Sequence, residues 1–204
     1  MAEEGFISHT LVPEFTKLND VFKQGGLDAV PTEKFTMTLA TLVDVFDRLG
    51  MTFAIASTDI KEKKTHLTQP KVLEESPFVS QLVSNDVKKE VVCQKGQSSR
   101  NLHGLKRLLH FVYVLMEQLN VSPDVTLHNA AKAAYDQTLV MYHTRVVRYA
   151  IKGGLMMLPY RKNFYEALHE TEDTAKVAIE QFMAQAKDIL AALDVLFQPY
   201  DSIC

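Results

Sequence analysis

Three groups of polar residues in this 204-residue chain have the types and spacing to hold a ligand. Asp59, Lys63 and His66 fall at i, i+4 and i+7, which stacks them on one face of a helix. They can grip a polar group there, although Asp59 with Lys63 is equally a surface ion pair worth about 0.3–0.5 kcal/mol. Arg100, His103, Gly104 and Arg107 form the second group. Its arginines share a helix face two turns apart and can hold a phosphate through charge-assisted, bidentate bonds. A helix beginning with a cap at Ser98 or Ser99 would add backbone donors and the positive end of its dipole. The competing structural reading is that these charges simply snorkel from an apolar helix into water. Tyr142-His143 is the third group, where a neutral imidazole can donate one hydrogen bond and accept another.

Catalytic patterns are sparse. Glu166-Ala-Leu-His169 has the Glu-x-x-His spacing of di-iron helical bundles, but a second such pair and further inward carboxylates cannot be assembled. The run from Gly96 to Arg100 lacks the Gly-Lys-Ser/Thr ending of a phosphate-binding loop. No G-x-S-x-G nucleophile elbow occurs. The sequence predicts no enzyme, no metal and no cofactor.

The elements that must position these groups are helical. Phe35, Leu39, Leu42, Val43, Phe46, Leu49 and Phe53 recur in steps of three and four, with Pro31-Thr32 ahead of them and Gly50 bending or ending the run. Met51 to Leu67 predicts a second helix that Pro70 stops. Residues 72–92 predict a third, broken at Ser76-Pro77. A strong helix runs from 98 to about Leu119, through Leu102, Leu105, Leu108, Leu109, Val112 and Leu115. Leu127 to about Leu158 is a long periodic segment, strained at Gly153-Gly154 and closed by Pro159. A short helix over Lys162–His169 and a last one over Thr171–Phe197 complete the set. No period-two strand or repeat interrupts it. One helical domain of seven or eight helices, spanning 1–204, is the expected fold. Several of these helices are apolar over wide arcs, which serves an ordinary core and a ligand tunnel alike.

With 22 basic and 25 acidic residues, net −3, the chain has no field drawing it to nucleic acid. Cys93 and Cys204 do not form a disulfide framework in this reading, which favours a reducing compartment. The acidic start MAEEGFISHT is no signal peptide, and Cys204 leaves no prenylation box. No run reaches the ~18 apolar residues of a membrane span. The expectation is a soluble, cytoplasmic protein.

TDIKEK at 58–63, SRNLHGLKRLL at 99–109, and AAYDQTLVMYH followed downstream by MLPYRKNFYEAL together resemble the glycolipid transfer protein superfamily. Order, spacing and helix pattern agree over about residues 10–198. The resemblance implies an all-α, two-layer sandwich of about eight helices that carries one sphingolipid, headgroup at a surface site and chains inside. It implies that Asp59 accepts the ceramide amide N–H and that His143 donates to the amide carbonyl. Lys63 falls where ceramide-1-phosphate members have lysine and sugar-binding members asparagine. Arg100 matches an arginine of the phosphate-binding members, and Arg107 is a further phosphate neighbour.

Two positions depart from the pattern. Gly104 stands where sugar-binding members place a tryptophan and phosphate-binding members a second arginine, and the chain has no tryptophan. A sugar platform is therefore absent, and a phosphate site has one cation fewer, which a charged His103 would restore at acidic pH. His143-Thr144-Arg145 replaces a His-Gly-Trp used near membranes, leaving transient membrane contact to other apolar and basic residues. Together these imply a ceramide-1-phosphate-like ligand. The alternatives are a glycosphingolipid carrier and a lipid sensor with little transfer.

Overall fold

The computed structural model describes residues 4–200 and 202–204, so Met1–Glu3 of the acidic start lie outside it. Helix begins upstream of the run that periodicity made legible. A π-helical turn, Ile7–Leu11, leads into α1 (Val12–Gly25), with Pro13 in its first turn. Pro is tolerated there because that N–H has no intrahelical partner. Only Phe15 and Leu18 of α1's apolar residues are fully buried, a face too narrow to declare itself by spacing.

The first expected long helix is broken. It comprises α2 (Thr32–Ala40) and α3 (Val43–Arg48), followed by a 3-10 turn at Met51–Phe53. At the break the Thr41 hydroxyl donates to the Thr38 carbonyl at 2.6 Å, a back-bond that competes with the helical ladder. Gly50 ends α3 at φ 96°, backbone that a residue with a Cβ rarely adopts. Next come α4 (Ala54–Leu67), α5 (Pro70–Glu75) and α6 (Val79–Lys88), the last two separated at Ser76-Pro77 as the sequence predicts.

Central to the molecule is α7 (Ser98–Val121), which contacts α4, α6, α8 and α11. The long segment expected over 127–158 is three pieces. They are α8 (Leu127–Thr138), a 3-10 turn at Val140–Tyr142, and α9 (Arg145–Leu155). The interruption falls at His143 and not at Gly153-Gly154. Thr144 caps α9 by accepting from the Val147 amide, and a cap offers the chain an alternative to continuing the helix. Then α10 (Arg161–Ala167) precedes α11 (Glu172–Phe197), whose start is closed by a Thr171–Thr174 capping box.

The architecture is the expected all-α helical sandwich. Among the described residues it has eleven α-helical segments, more than about eight because two long helices are interrupted. No strand occurs among those residues, only an isolated bridge between Pro31 and Phe78. Phe15 of α1 meets Phe182 of α11 edge-on at 4.9 Å between ring centroids. That contact lies between the first and last helices, and elsewhere, beside α4 and α7, the molecule is open.

Candidate functional site

On the open side, α3, α4, α7 and the α8–α9 break surround a cavity of about 890 Å³, within the range of small-molecule binding pockets. Phe46, Phe53, Leu108, Leu139 and Ile151 line it. Phe46 and Phe53 are backed by Phe111, at 5.5 and 6.2 Å between centroids. Part of the wide apolar arc on these helices thus faces empty space, a distinction that periodicity does not carry.

Asp59, Lys63, Arg100, Arg107 and His143 all line this cavity. Four of them come from α4 and α7, which are packed together; His143 comes from the α8–α9 break. Asp59 and Lys63 form an i,i+4 ion pair, the lysine largely buried and the aspartate half-exposed. His66, one turn on, also lines the cavity and lies 3.4 Å from the Ser98 hydroxyl.

Lys63 reaches across α7 because position 104 is glycine. A Cβ there would collide with Lys63 Cε and stand 3.1 Å from Nζ. The cation therefore occupies the space that a larger residue at 104 would fill.

Arg107 is half-enclosed. Its guanidinium carbon lies 3.6 Å from the centre of the Tyr142 ring, a cation–π contact. Nη2 donates to His103 Nδ1 and to the Cys204 main-chain oxygen, both at 2.5 Å, and Nε is buried without a partner. Burial pulls this guanidinium below its ordinary pKa; Tyr142 and Asp59 oppose the shift and Arg100 adds to it.

His103 corrects one expectation. It is 1% exposed, lies behind Arg107 against the Phe197 ring at 4.6 Å, and does not line the cavity. Burial first, then Arg107, Lys106 and Arg100, push its pKa down to about 3. It is a neutral acceptor for Arg107 and adds no charge, even at mildly acidic pH.

The start of α7 corrects another. Neither Ser98 nor Ser99 is the cap residue; Gln97 is, without a side-chain bond. The buried Asp86 carboxylate of α6 instead accepts from the Ser99 amide at 2.8 Å and from its hydroxyl at 2.7 Å. A carboxylate of the protein already occupies the helix dipole's positive end. The anion-binding capacity at this rim rests on side chains.

His143 sits outside regular helix, with Nδ1 3.0 Å from the Tyr135 hydroxyl. Its pKa is lowered by burial, then by Arg107 and Arg148, with Asp59 opposing. Burial raises that of Tyr135. Tyr135 lies in the motif AAYDQTLVMYH, but spacing gave it no role, because the chain turn that brings it back to His143 breaks helical periodicity.

Cys93 and Cys204 correct the reading of two independent thiols. They are disulfide-bonded, with Cα atoms 5.0 Å apart across a sequence separation of 111. The chain beyond α11 turns back, and spacing in the sequence could not show it.

Around the mouth, Met51, Ile55 and Val146 line the cavity yet are 93%, 77% and 79% exposed. Tyr149, one turn along α9 from Val146, is also exposed, between Arg145 and Lys152. Among the described residues no group of three or more His, Cys, Asp or Glu side chains could hold a metal. No helix among them is long and apolar enough to cross a membrane.

An all-α sandwich with an apolar cavity and a charged mouth is a helical protein built around an internal binding space. The chain belongs to the glycolipid transfer protein (GLTP) family, whose model matches residues 30–170. It is 30% identical over 172 residues to Accelerated cell death 11 of Arabidopsis thaliana, covering 82% of this chain and 81% of that protein. It is 28% identical over 149 residues to the Ceramide-1-phosphate transfer protein of Rattus norvegicus, covering 67% and 69%. Among solved structures, an aspartate-to-alanine variant of Arabidopsis accelerated-cell-death 11, complexed with C12 ceramide-1-phosphate, matches with TM-score 0.88. That match covers 97% of this chain and 98% of the other at 24% identity, a likeness of fold.

Proposed function

We propose that residues 1–204 act as one non-catalytic carrier that moves a sphingolipid between membranes, with ceramide-1-phosphate preferred over glycosylceramide. The observation that carries this reading is a cavity that is apolar within and bears Lys63, Arg100 and Arg107 at its mouth. The relatives support it: one is a ceramide-1-phosphate transfer protein, and another's variant was solved with that lipid.

Physical chemistry supplies the division of labour. Releasing a sixteen-carbon chain into water costs about 12 kcal/mol, at ~0.8 kcal/mol per methylene. A carrier must therefore trade bilayer for an equally apolar interior. The tail contribution then nearly cancels, and selectivity falls to the headgroup. Arg100 and Arg107 act as phosphate donors, with Lys63 over Gly104 as the third cation. With no tryptophan in the chain, a sugar finds no indole to stack on.

Asp59 and His143 take the ceramide amide. Asp59 accepts the amide N–H. Tyr135, kept protonated by burial, donates to His143 Nδ1, which leaves the imidazole proton on Nε2 to reach the amide carbonyl. Neutral His143 is the form this role needs, and its lowered pKa favours it.

Met51, Ile55, Val146 and Tyr149 dip into the bilayer surface while Arg145 and Lys152 meet lipid phosphates, a transient contact from the cytoplasmic side. An amphipathic face of this composition binds interfaces reversibly. The test is transfer of fluorescent ceramide-1-phosphate and glucosylceramide between phosphatidylcholine vesicles. Faster movement of ceramide-1-phosphate is expected, and equal or faster movement of glucosylceramide would overturn the headgroup preference.

A further inference from the structure

Cys93 and Cys204 are joined to each other, and each is also joined to one of the mouth arginines. Cys93, in the loop between α6 and α7, is 3% exposed and accepts from Arg100 Nη1 at 3.1 Å through its main-chain oxygen. Cys204 accepts from Arg107 Nη2 at 2.5 Å in the same way. The disulfide thus ties together the two acceptors that occupy the two guanidiniums.

Two of the five N–H groups of Arg107 are engaged in this state, both on one nitrogen. Nη2 carries two hydrogens, and both are spent, one on His103 Nδ1 and one on the Cys204 oxygen. Nε is buried without a hydrogen-bond partner. An arginine reaches a phosphate with paired N–H groups in a fixed fork, and here the Cys204 oxygen takes a place that a phosphate oxygen would need.

Among the described residues beyond α11, Tyr200 and Cys204 pack against the core, and the disulfide and this hydrogen bond add the ties to Cys93 and Arg107. The segment makes a 3-10 turn at Gln198–Tyr200, and the amides of Ile203 and Cys204 both return to the Tyr200 carbonyl, at 3.0 and 2.9 Å. Cys93 is held at φ 59°, backbone that a non-glycine residue keeps only where its surroundings impose it. Its amide donates to Ser99 Oγ at 2.8 Å, so the loop is anchored to α7 on one side and to Cys204 on the other.

We propose that the Cys93–Cys204 pair is a redox modification site that gates the headgroup cations: the disulfide holds Arg107 and Arg100 on main-chain oxygens, and reduction releases them to a phosphate. The chemistry is thiol–disulfide exchange with a small thiol such as glutathione. A glutathione thiolate attacks the Cys204 sulfur, the more accessible one, breaking the S–S bond and expelling the Cys93 thiolate, which takes up a proton. A second glutathione thiolate then attacks the glutathione sulfur of the mixed disulfide and frees Cys204, which is protonated in turn. Two thiols of the protein and one glutathione disulfide result; two electrons pass from glutathione to the cysteine sulfurs. Glutathione disulfide drives the reverse step.

This inference rests on the arginines being headgroup ligands, and the experiment separates the two ideas. The full chain is equilibrated with glutathione disulfide or with reduced glutathione, and its thiol state is read by alkylation and intact mass. Binding to phosphatidylcholine vesicles doped with ceramide-1-phosphate, or with glucosylceramide, is then titrated for each state. Reduction is expected to tighten ceramide-1-phosphate binding by ~10-fold, the scale of one charge-assisted hydrogen bond regained, and to change glucosylceramide binding by less than about twofold, since no charge-assisted bond is regained there. Cys204→Ser should bind like the reduced protein under both conditions, and Cys93→Ser serves the same purpose if that variant fails to fold. Equal ceramide-1-phosphate affinity in the two states, an equal change for glucosylceramide, or no disulfide under oxidation would overturn the gate alone. Failure of both states to bind ceramide-1-phosphate would overturn the carrier reading and the gate with it.

Discussion

Lys63 lies across α7 in the space left by Gly104, so its position depends on the absence of a side chain one helix away. The pair acts as a unit: glycine at 104 costs the site a residue of its own, and the lysine from α4 takes up that space while still paired with Asp59. Gly104→Trp should expel Lys63 toward solvent and lower ceramide-1-phosphate transfer by ~10-fold, the worth of one charge-assisted contact. Position 104 is only partly buried, so the thermal midpoint should change little. Unchanged transfer by Gly104→Trp in the vesicle assay would show that Lys63 is no headgroup ligand.

Asp59→Ala and His143→Ala should each reduce transfer while leaving helicity, followed by far-ultraviolet circular dichroism, as it is. The expected losses are about 10–100-fold for the charged acceptor and up to about 10-fold for the neutral imidazole. Both side chains sit at the cavity mouth and neither is buried in the core, so a collapse of the fold is not expected. Retained transfer in either variant would remove that residue from the amide clamp.

Tyr135→Phe isolates the hydroxyl that orients His143. The ring remains to fill its buried site, and only the 3.0 Å bond to Nδ1 is lost. Lipid affinity should fall by about 0.5–1.5 kcal/mol, with the effect vanishing when His143 is already alanine. A double-mutant cycle with additive losses would show that the two residues act separately.

Stability should fall with acid in a defined window. His103 has a folded pKa of about 3 against an ordinary value of 6.5, so between these the unfolded chain binds the extra proton. Stability is then complete above about pH 6.5 and is lost progressively as pH falls toward 3. His66, His110 and His143 are lowered by burial as well and act in the same direction. Urea midpoints measured at pH 7 and pH 5 should drop, and His103→Gln should shrink the drop. A midpoint that rises on acidification would contradict the burial of these rings.

Membrane contact is separable from lipid binding. Replacing Met51 and Val146 by serine removes exposed apolar surface at the mouth without touching a charged ligand. Co-sedimentation with phosphatidylcholine vesicles should weaken several-fold, by the transfer free energy of the lost side chains. Binding of a short-chain ceramide-1-phosphate in solution should stay unchanged. Unaltered sedimentation would place the docking face elsewhere.

Helical class was legible because a helix that buries one face must repeat its apolar residues in steps of three and four. Asp59 with Lys63, and Arg100 with Arg107, were legible for the same reason: helical spacing alone puts each pair on one face. Their common purpose came from the ordered motifs. The breaks at 41–42 and 143–144 were not legible, since Thr41 and Thr144 act through short-range bonds that apolar periodicity does not record.

What the amino-acid order determined by itself was which faces are apolar and which charges travel together on one helix. Tertiary structure alone decided that part of the apolar surface encloses a void, that His103 is buried and neutral while His143 stands at the mouth, and that Cys93 meets Cys204 across 111 residues. Periodicity reports that a side chain leaves water and is silent on what it leaves water for. That second choice is made by helices brought together from distant parts of the chain.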